Sequence, residues 1–389
     1  MAILNGKQIG TFQLADNTTA SGNWTAGNQS FNSTALSDFL FSGFTTGGLT
    51  STLSSPGITQ MDTNTFVAVY GDNTQTIISV PFSVAGNVIS VGTPVTSSSF
   101  TARHPRITKL TTTTALLTYD NQSTEVMHGR VLTLTGLSIS LGTETSLGFQ
   151  SPGTSAPSLI AMNATEVLTV NGRQSAAFID ARIITISGTT IAAVGSPGSI
   201  AASNTTLSCT KVDTTTALMV YNSSGAEARC VTISISGTTC TFNTFGVVNA
   251  ATGYTSTNVT MLTPTKAVGV GTVGSDGFIF IITLIGVNVA ATAPVNISTF
   301  TGITSIFPRL AMLRLDKVLI TFRNNATNSF NYVILNVSGT SFITHNAAQL
   351  SATPTFGINT VMLPVSSSRV IHFGQSTTTF FSIIESVDI

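Results

Sequence analysis

Four cations stand out in a chain of 389 residues of which only 8% are charged: Arg106, Lys109, Lys211 and Arg309. Gathered in a low-dielectric throat, such groups hold an anion, for example a sugar acid or a phosphate, through charge-assisted hydrogen bonds. At a rim the same residues are simply solvated or paired. A second set is polar and aromatic: Tyr70, Tyr119, Asn121, Tyr221 and Asn222. These border or belong to the loops GDNTQ at 71–75, DNQSTE at 120–125 and NSSGAE at 222–227, to which RNNATNS at 323–329 corresponds. Amides and phenols gathered on one face suit sugar hydroxyls. They suit ordinary exposed turns equally well.

Other chemistry fares worse. GVGTVG at 269–274 has the spacing of a dinucleotide-binding turn. That turn must open a helix so that its amides meet a pyrophosphate. Here the strand-like FIFII follows, and a strand with its loop is the better reading. His104, His128, His345 and His372 include no i, i+4 pair of the kind a helical zinc site needs. Cys209, Cys230 and Cys240 lack the number and spacing of a disulfide framework or a metal site, so buried free thiols are expected. No catalytic, metal or cofactor set emerges, and the chain is expected to be non-enzymatic. Net charge is zero, so no basic footprint for nucleic acid is present. The apolar run at 278–291 is short for a membrane span and is broken by Gly286 and Asn288; it reads as two core strands. The opening MAILNGKQIGTFQL lacks a basic region ahead of an apolar core, so no secretory signal is expected.

What positions these residues is a repeat. Phe66, Ala115, Val167, Ala217, Ala267, Val318 and Val370 each open an ALMVY-like strand, at spacings of 49, 52, 50, 50, 51 and 52. Pro56, Pro105, Pro157 and Pro308 lie ten residues before their anchors, and apolar pairs such as Cys209/Val212 lie eight and five before. Gly86, Gly136, Gly188, Gly237, Gly286 and Gly339 follow about 20 residues after, and three of these turns read Ser-Gly-Thr. Glycine between two alternating runs supplies the positive φ of a tight hairpin. Each unit thus holds four short strands; in the second they fall at roughly 106–110, 114–120, 125–134 and 138–147. A period near 50 built of strands alone is the pattern of propeller blades, whose first strands line a central channel.

The expected fold is therefore an all-β, seven-bladed propeller over residues 36–389. The last unit ends before its fourth strand, and residues 36–45, LSDFLFSGFT, are expected to supply that strand and seal the ring. Residues 1–35 have no repeat character and hold the only tryptophan, Trp24. They are expected to be a tether that orders on a partner.

The phrase LNGKQI at 4–9 resembles openings found in bacteriophage tail and fibre proteins. The Ser/Thr-rich, charge-poor, all-β body is similar to virion structural proteins. The repeats resemble seven-bladed propellers generally, without the Trp-Asp dipeptides of WD40 repeats, the kelch pattern or the aspartate boxes of sialidases. These resemblances imply a non-enzymatic virion component, present in multiple copies, that acts in assembly or host attachment. Its partners would be other virion proteins through the N-terminal segment and a host-surface glycan or protein. The alternatives are a lectin-type carbohydrate-binding propeller and, third, a propeller hydrolase.

Overall fold

A computed structural model describes residues 2–4, 7–9, 56–71, 75–85, 88–150, 157–172, 178–202, 207–223, 227–249, 253–327, 329–351, 360–366, 369–375 and 379–385. The chain is all-β. Among the described residues the one helix, Ser298–Thr301, is a single turn, and no helix is long and apolar enough to cross a membrane. At the N-terminus Ala2–Leu4 pairs antiparallel with Lys7–Ile9.

Six antiparallel blades of four strands follow one another, and a three-stranded sheet comes last. Blade 2 shows the plan. Ala102–Lys109 is its inner strand, followed by Thr114–Asn121, Val126–Thr135 and the outer strand Ser138–Leu141. The last sheet comprises Thr360–Ser366, Arg369–Gln375 and Thr379–Glu385. Six of the expected seven four-stranded blades are thus complete, and the seventh sheet stands at three strands. The closing strand expected at 36–45 lies outside the described residues.

The second strands carry the fold. Each is sandwiched between neighbouring sheets, so both of its faces must be apolar, and the alternation typical of a half-buried strand disappears. Hence TALLTYDN, EVLTVNG and TALMVYN are buried almost throughout. All seven anchors are fully buried. Burying a side chain of the Val, Leu or Ile kind contributes about 1.5–3 kcal/mol.

Among the described residues seven apolar cores, one per joint, hold the sheets face to face. Met61, Val67 and Ile77 of blade 1 meet Ile107, Leu117 and Leu132 of blade 2. The three-stranded sheet is gripped on both sides: Val370 and Met362 pack on Leu319 and Ile334 of blade 6, while Ile371 and Leu363 pack on Phe66 and Phe82 of blade 1. Each inner strand lies beside the inner strand of the next sheet, and Thr360–Ser366 touches both Ser305–Arg314 and Gly57–Asp62. The inner strands therefore enclose a throat.

An inner strand is a sheet edge with unpaired amides. Side-chain hydroxyls of the preceding blade satisfy them here. Thr59 Oγ1 accepts from Lys109 N at 3.2 Å, Thr108 Oγ1 from Ala161 N at 3.3 Å, and Ser158 Oγ from Cys209 N at 3.2 Å. Ser208 Oγ accepts from Val259 N and Thr272 Oγ1 from Phe307 N, each at 3.2 Å.

The hairpins between third and outer strands match expectation. Gly136, Gly188, Gly237, Gly286 and Gly339 have φ of 59°, 60°, 56°, 61° and 58°; Gly86 lies outside the described residues. The fourth strand differs from the continuous one expected. In blade 2 it breaks after Leu141 and resumes as Thr145–Gln150, which pairs with the start of the third strand. The break falls where the hairpin of the next blade presses in: a Cβ on Gly142 would meet the Thr189 carbonyl oxygen at 2.3 Å.

Candidate functional site

Arg106 and Arg309 occupy equivalent places in blades 2 and 6, and the same backbone device aims both. Blades 2 and 6 begin with a bulge. Arg103 pairs with Asp120 but Arg106 with Thr118, and Ile306 pairs with Arg323 but Arg309 with Thr321, so one extra residue is accommodated in each inner strand. The residue before the proline, His104 or Phe307, takes φ of 53° in both. A left-handed backbone at a residue other than glycine costs on the order of 1–3 kcal/mol and persists only where the surroundings enforce it. Such a bulge re-aims the side chain that follows.

Arg106 reaches across the start of three blades. Its Nε donates to the Pro157 carbonyl at 3.1 Å, and Nη1 donates to Pro105 at 2.9 Å and lies 3.5 Å from the Pro56 carbonyl oxygen. Arg309 Nη1 donates to Ser256 Oγ at 3.0 Å and to the Pro308 carbonyl at 3.2 Å. Blades 2 and 6 are not neighbours, yet both arginines are lowered from their ordinary value. Burial, and then the charge of Arg309, bring Arg106 down to about 10, and burial brings Arg309 to about 10.

Lys109 and Lys211 do not join them. Each sits three residues further along its strand relative to the repeat, about 10 Å at the rise of a strand. Lys211 Nζ is spent on the Met162 carbonyl of the preceding blade. Of the four cations, Arg106 and Arg309 thus share one position in the repeat, and Lys109 and Lys211 share another.

The aromatic and amide set is also corrected. Tyr70, Tyr119, Tyr221 and Asn222 are interior residues, not a loop face. Each tyrosine closes a second strand that is covered on both sides. Asn222 Nδ2 and Oδ1 hold the backbone oxygen and amide of Tyr254, and Asn121 Oδ1 caps the turn amides of Ser123 and Thr124. These side chains build turns and joints. The GVGTVG glycines are structural as well: a Cβ on Gly269 would strike the Phe280 ring and one on Gly271 the Tyr254 ring, each at 2.4 Å. Those two rings stack at 5.7 Å. The three cysteines are free thiols, and burial pushes Cys209 and Cys230 up to about 12 and Cys240 to about 11.

A side-chain cluster that the sequence reading missed lies where blade 1 hands over to blade 2. Arg130 Nη2 meets Glu144 Oε2 at 2.9 Å. The Tyr119 hydroxyl lies 2.5 Å from Glu144 Oε1, and Ser99 donates to Oε2. Burial works against the Glu144 carboxylate, yet hydrogen bonds from Ser99, Tyr119 and Arg130, with the charge of Arg130, hold it below the usual range. His128, two residues before Arg130 on the same strand face, packs edge-on against Phe100 at 4.6 Å. Burial lowers its pKa, against the pull of Glu144. Arg130 Nε and His128 Nδ1 are buried without a hydrogen-bond partner among the described residues. Part of this arrangement recurs one blade on, where Arg182 lies over the Phe149 ring at 5.0 Å and 3.9 Å from Asp180. Arg130 and Arg182 both stand fifteen residues after their anchors, a signal that was available in the sequence. Among the described residues no cluster of three His, Cys, Asp or Glu could hold a metal ion.

No family model matches the chain, and no curated relative does. Solved structures share its architecture. A candidate 6-phosphogluconolactonase from Bacteroides uniformis is 10% identical with a TM-score of 0.51, over 80% of this chain and 94% of that one. A lectin mutant from Aleuria aurantia in complex with Fucα1-6GlcNAc is 11% identical with a TM-score of 0.49, over 79% of this chain and 98% of that one. The WD40 domain of SCAP from fission yeast is 8% identical with a TM-score of 0.46, over 87% of this chain and 96% of that one. The virion expectation gains no support from these likenesses. At 10% identity the first of these speaks to the fold alone, a β-propeller, whose four-stranded blades the sheet order shows directly.

Proposed function

We propose that this chain is a non-enzymatic, lectin-type propeller that takes a carbohydrate at the cluster between blades 1 and 2. The observation that carries this reading is the Arg130–Glu144 pair beside the Phe100 and His128 rings, with Arg130 Nε and His128 Nδ1 buried and unanswered. A buried polar atom lacking a partner is costly, and a ligand that supplies the partner recovers that cost. Vicinal hydroxyls present the needed donors and acceptors, and a sugar's C–H face matches an aromatic ring. The Arg182–Phe149 stack repeats one part of this arrangement in the next blade. Glycan-array screening followed by titration calorimetry tests this. Binding should be lost in Arg130→Ala and weakened at least tenfold in Glu144→Gln, each measured well below the melting temperature of the variant. An array without specific binders refutes the reading.

For the ring, we infer that the three-stranded sheet is a seventh blade completed by residues 36–45. Its packing on both neighbours supports this. Deleting residues 1–45 should then lower the melting temperature far more than deleting 1–30, and equal loss refutes the idea. A second reading, a virion tail or fibre component docked through residues 1–35, rests on the LNGKQI phrase. Normal incorporation of a leaderless protein into particles counts against it.

A further inference from the structure

Charge decides which sugars the Arg130 cluster can take. Arg130 and Glu144 lie 2.9 Å apart and keep 18% and 14% of their side chains exposed, so both reach the surface that a ligand meets. Hydrogen bonds from Ser99, Tyr119 and Arg130 keep Glu144 ionised, and burial keeps His128 neutral. The cluster therefore sums to zero charge. The same balance holds on the next two blades. The third strands Val126–Thr135, Phe178–Ser187 and Ala228–Ser236 each carry one arginine with a carboxylate beside it. Arg182 has Asp180 at 3.9 Å, and Arg229 has Glu227 at 2.5 Å while its guanidinium lies over the exposed Phe245 ring at 3.8 Å.

Hydrogen-bond capacity points the same way. An ionised carboxylate offers about four acceptor positions. Glu144 Oε2 takes Ser99 and Arg130, and Oε1 takes the Tyr119 hydroxyl, so Oε1 keeps room for one more donor. Arg130 Nε–H is a buried donor with no acceptor among the described residues. A hydroxyl both donates and accepts, so vicinal hydroxyls answer both groups. A carboxylate or sulfate only accepts. It meets Glu144 as a like charge, and the arginine fork that grips an anion bidentately already spends Nη2 on that same carboxylate.

We propose that this cluster admits uncharged sugars and turns away uronic, sialylated and sulfated ones, with Glu144 as the residue that sets the selection. The inference rests on the carbohydrate reading and narrows it. Selection of this kind comes from what a site repels as much as from what it holds.

The test uses the full chain on an array of neutral oligosaccharides printed beside their uronic, sialylated and sulfated counterparts. The parent should mark the neutral glycans, and calorimetry at low ionic strength, where charge is little screened, should find each matched acidic form bound at least tenfold more weakly. Glu144→Gln keeps the shape and removes the charge, so it should raise the ratio of acidic to neutral affinity at least tenfold. Glu144→Asp keeps the charge and should still exclude acidic glycans; it covers the case in which glutamine is not tolerated by the fold. A parent that binds matched neutral and acidic glycans alike, or prefers the acidic ones, overturns this inference and leaves the carbohydrate reading standing. An unchanged ratio in a folded Glu144→Gln does the same. A parent that binds neither kind refutes the reading and the inference together.

Discussion

Blades 2 and 6 solve one backbone problem with opposite chemistry. Both insert an extra residue before a proline and both aim an arginine into the throat. In blade 2 the bulge is braced by charge: the buried Asp120 carboxylate takes Arg103 Nε at 2.6 Å and lies 3.0 Å from His104 Nδ1. In blade 6 Ile306 replaces Arg103, Phe307 replaces His104 and Arg323 replaces Asp120, and the Arg323 guanidinium lies over the Phe307 ring at 5.1 Å. The aim of Arg106 and Arg309 is thus set by the X-Pro-Arg bulge. The brace is interchangeable so long as it holds the residue before the proline in its left-handed conformation.

Removing the braces should separate the two blades most. Asp120→Ala leaves Arg103 and His104 around an emptied carboxylate site, at a cost of about 3 kcal/mol. Arg323→Ala in blade 6 removes only a stacked cation, about 0.5–1 kcal/mol. Denaturant unfolding of both variants checks this, and a larger loss at Arg323 would reverse the assignment of the braces. The hairpin glycines form the control within each blade. A Cβ on Gly136 or Gly339 meets nothing within 4 Å, so valine at either site pays for backbone conformation alone. Gly136→Val and Gly339→Val should therefore cost about 1–2 kcal/mol each and agree with each other. Unequal losses mean that the blades differ beyond their bulges.

The smallest expected difference is in pH response. Blade 2 carries His128 where blade 6 carries Asn331. Burial depresses His128 below its ordinary 6.5, so the unfolded chain takes up the proton first. The stability from neutral His128 is full above about pH 6.5 and is lost as pH falls through the folded value. Glu144, held below its ordinary 4.5, contributes stability that is present above that value and lost at lower pH. Hydrogen exchange should therefore show blade 2 loosening before blade 6 on acidification, in two steps. His128→Gln should delete only the first step; an unchanged profile would falsify the account.

The blades were legible in the sequence because the second strands are buried on both faces, which forces runs such as ALMVY at every period. The hairpin glycines were legible because their φ leaves little choice of residue. The break at Gly142 was not, because its cause, Thr189, belongs to the next blade. Tyr119 and Tyr221 misled because a phenol reads as surface until both of its neighbouring sheets are in place. Arg106 and Arg309 could be placed on inner strands, but which cations share a level depends on a strand register and two bulges that composition does not record. The Arg130 cluster draws Ser99, Phe100 and Glu144 from between the regular strands, where the repeat gives no register.

In every hydroxyl link described between the inner strand of one blade and the blade before it, the oxygen belongs to the earlier blade and the amide to the later one. The collar therefore has a direction of rotation, and each of these five joints relies on one threonine or serine. Either residue serves, and a lapse at one position loosens a single seam. The abundance of Ser and Thr in a chain so poor in charge is then joinery between wedges. A fifty-residue wedge that carries its own hydroxyl and its own amide could be duplicated or lost with little change at the seams, so the number of wedges is a property that evolution can adjust one unit at a time.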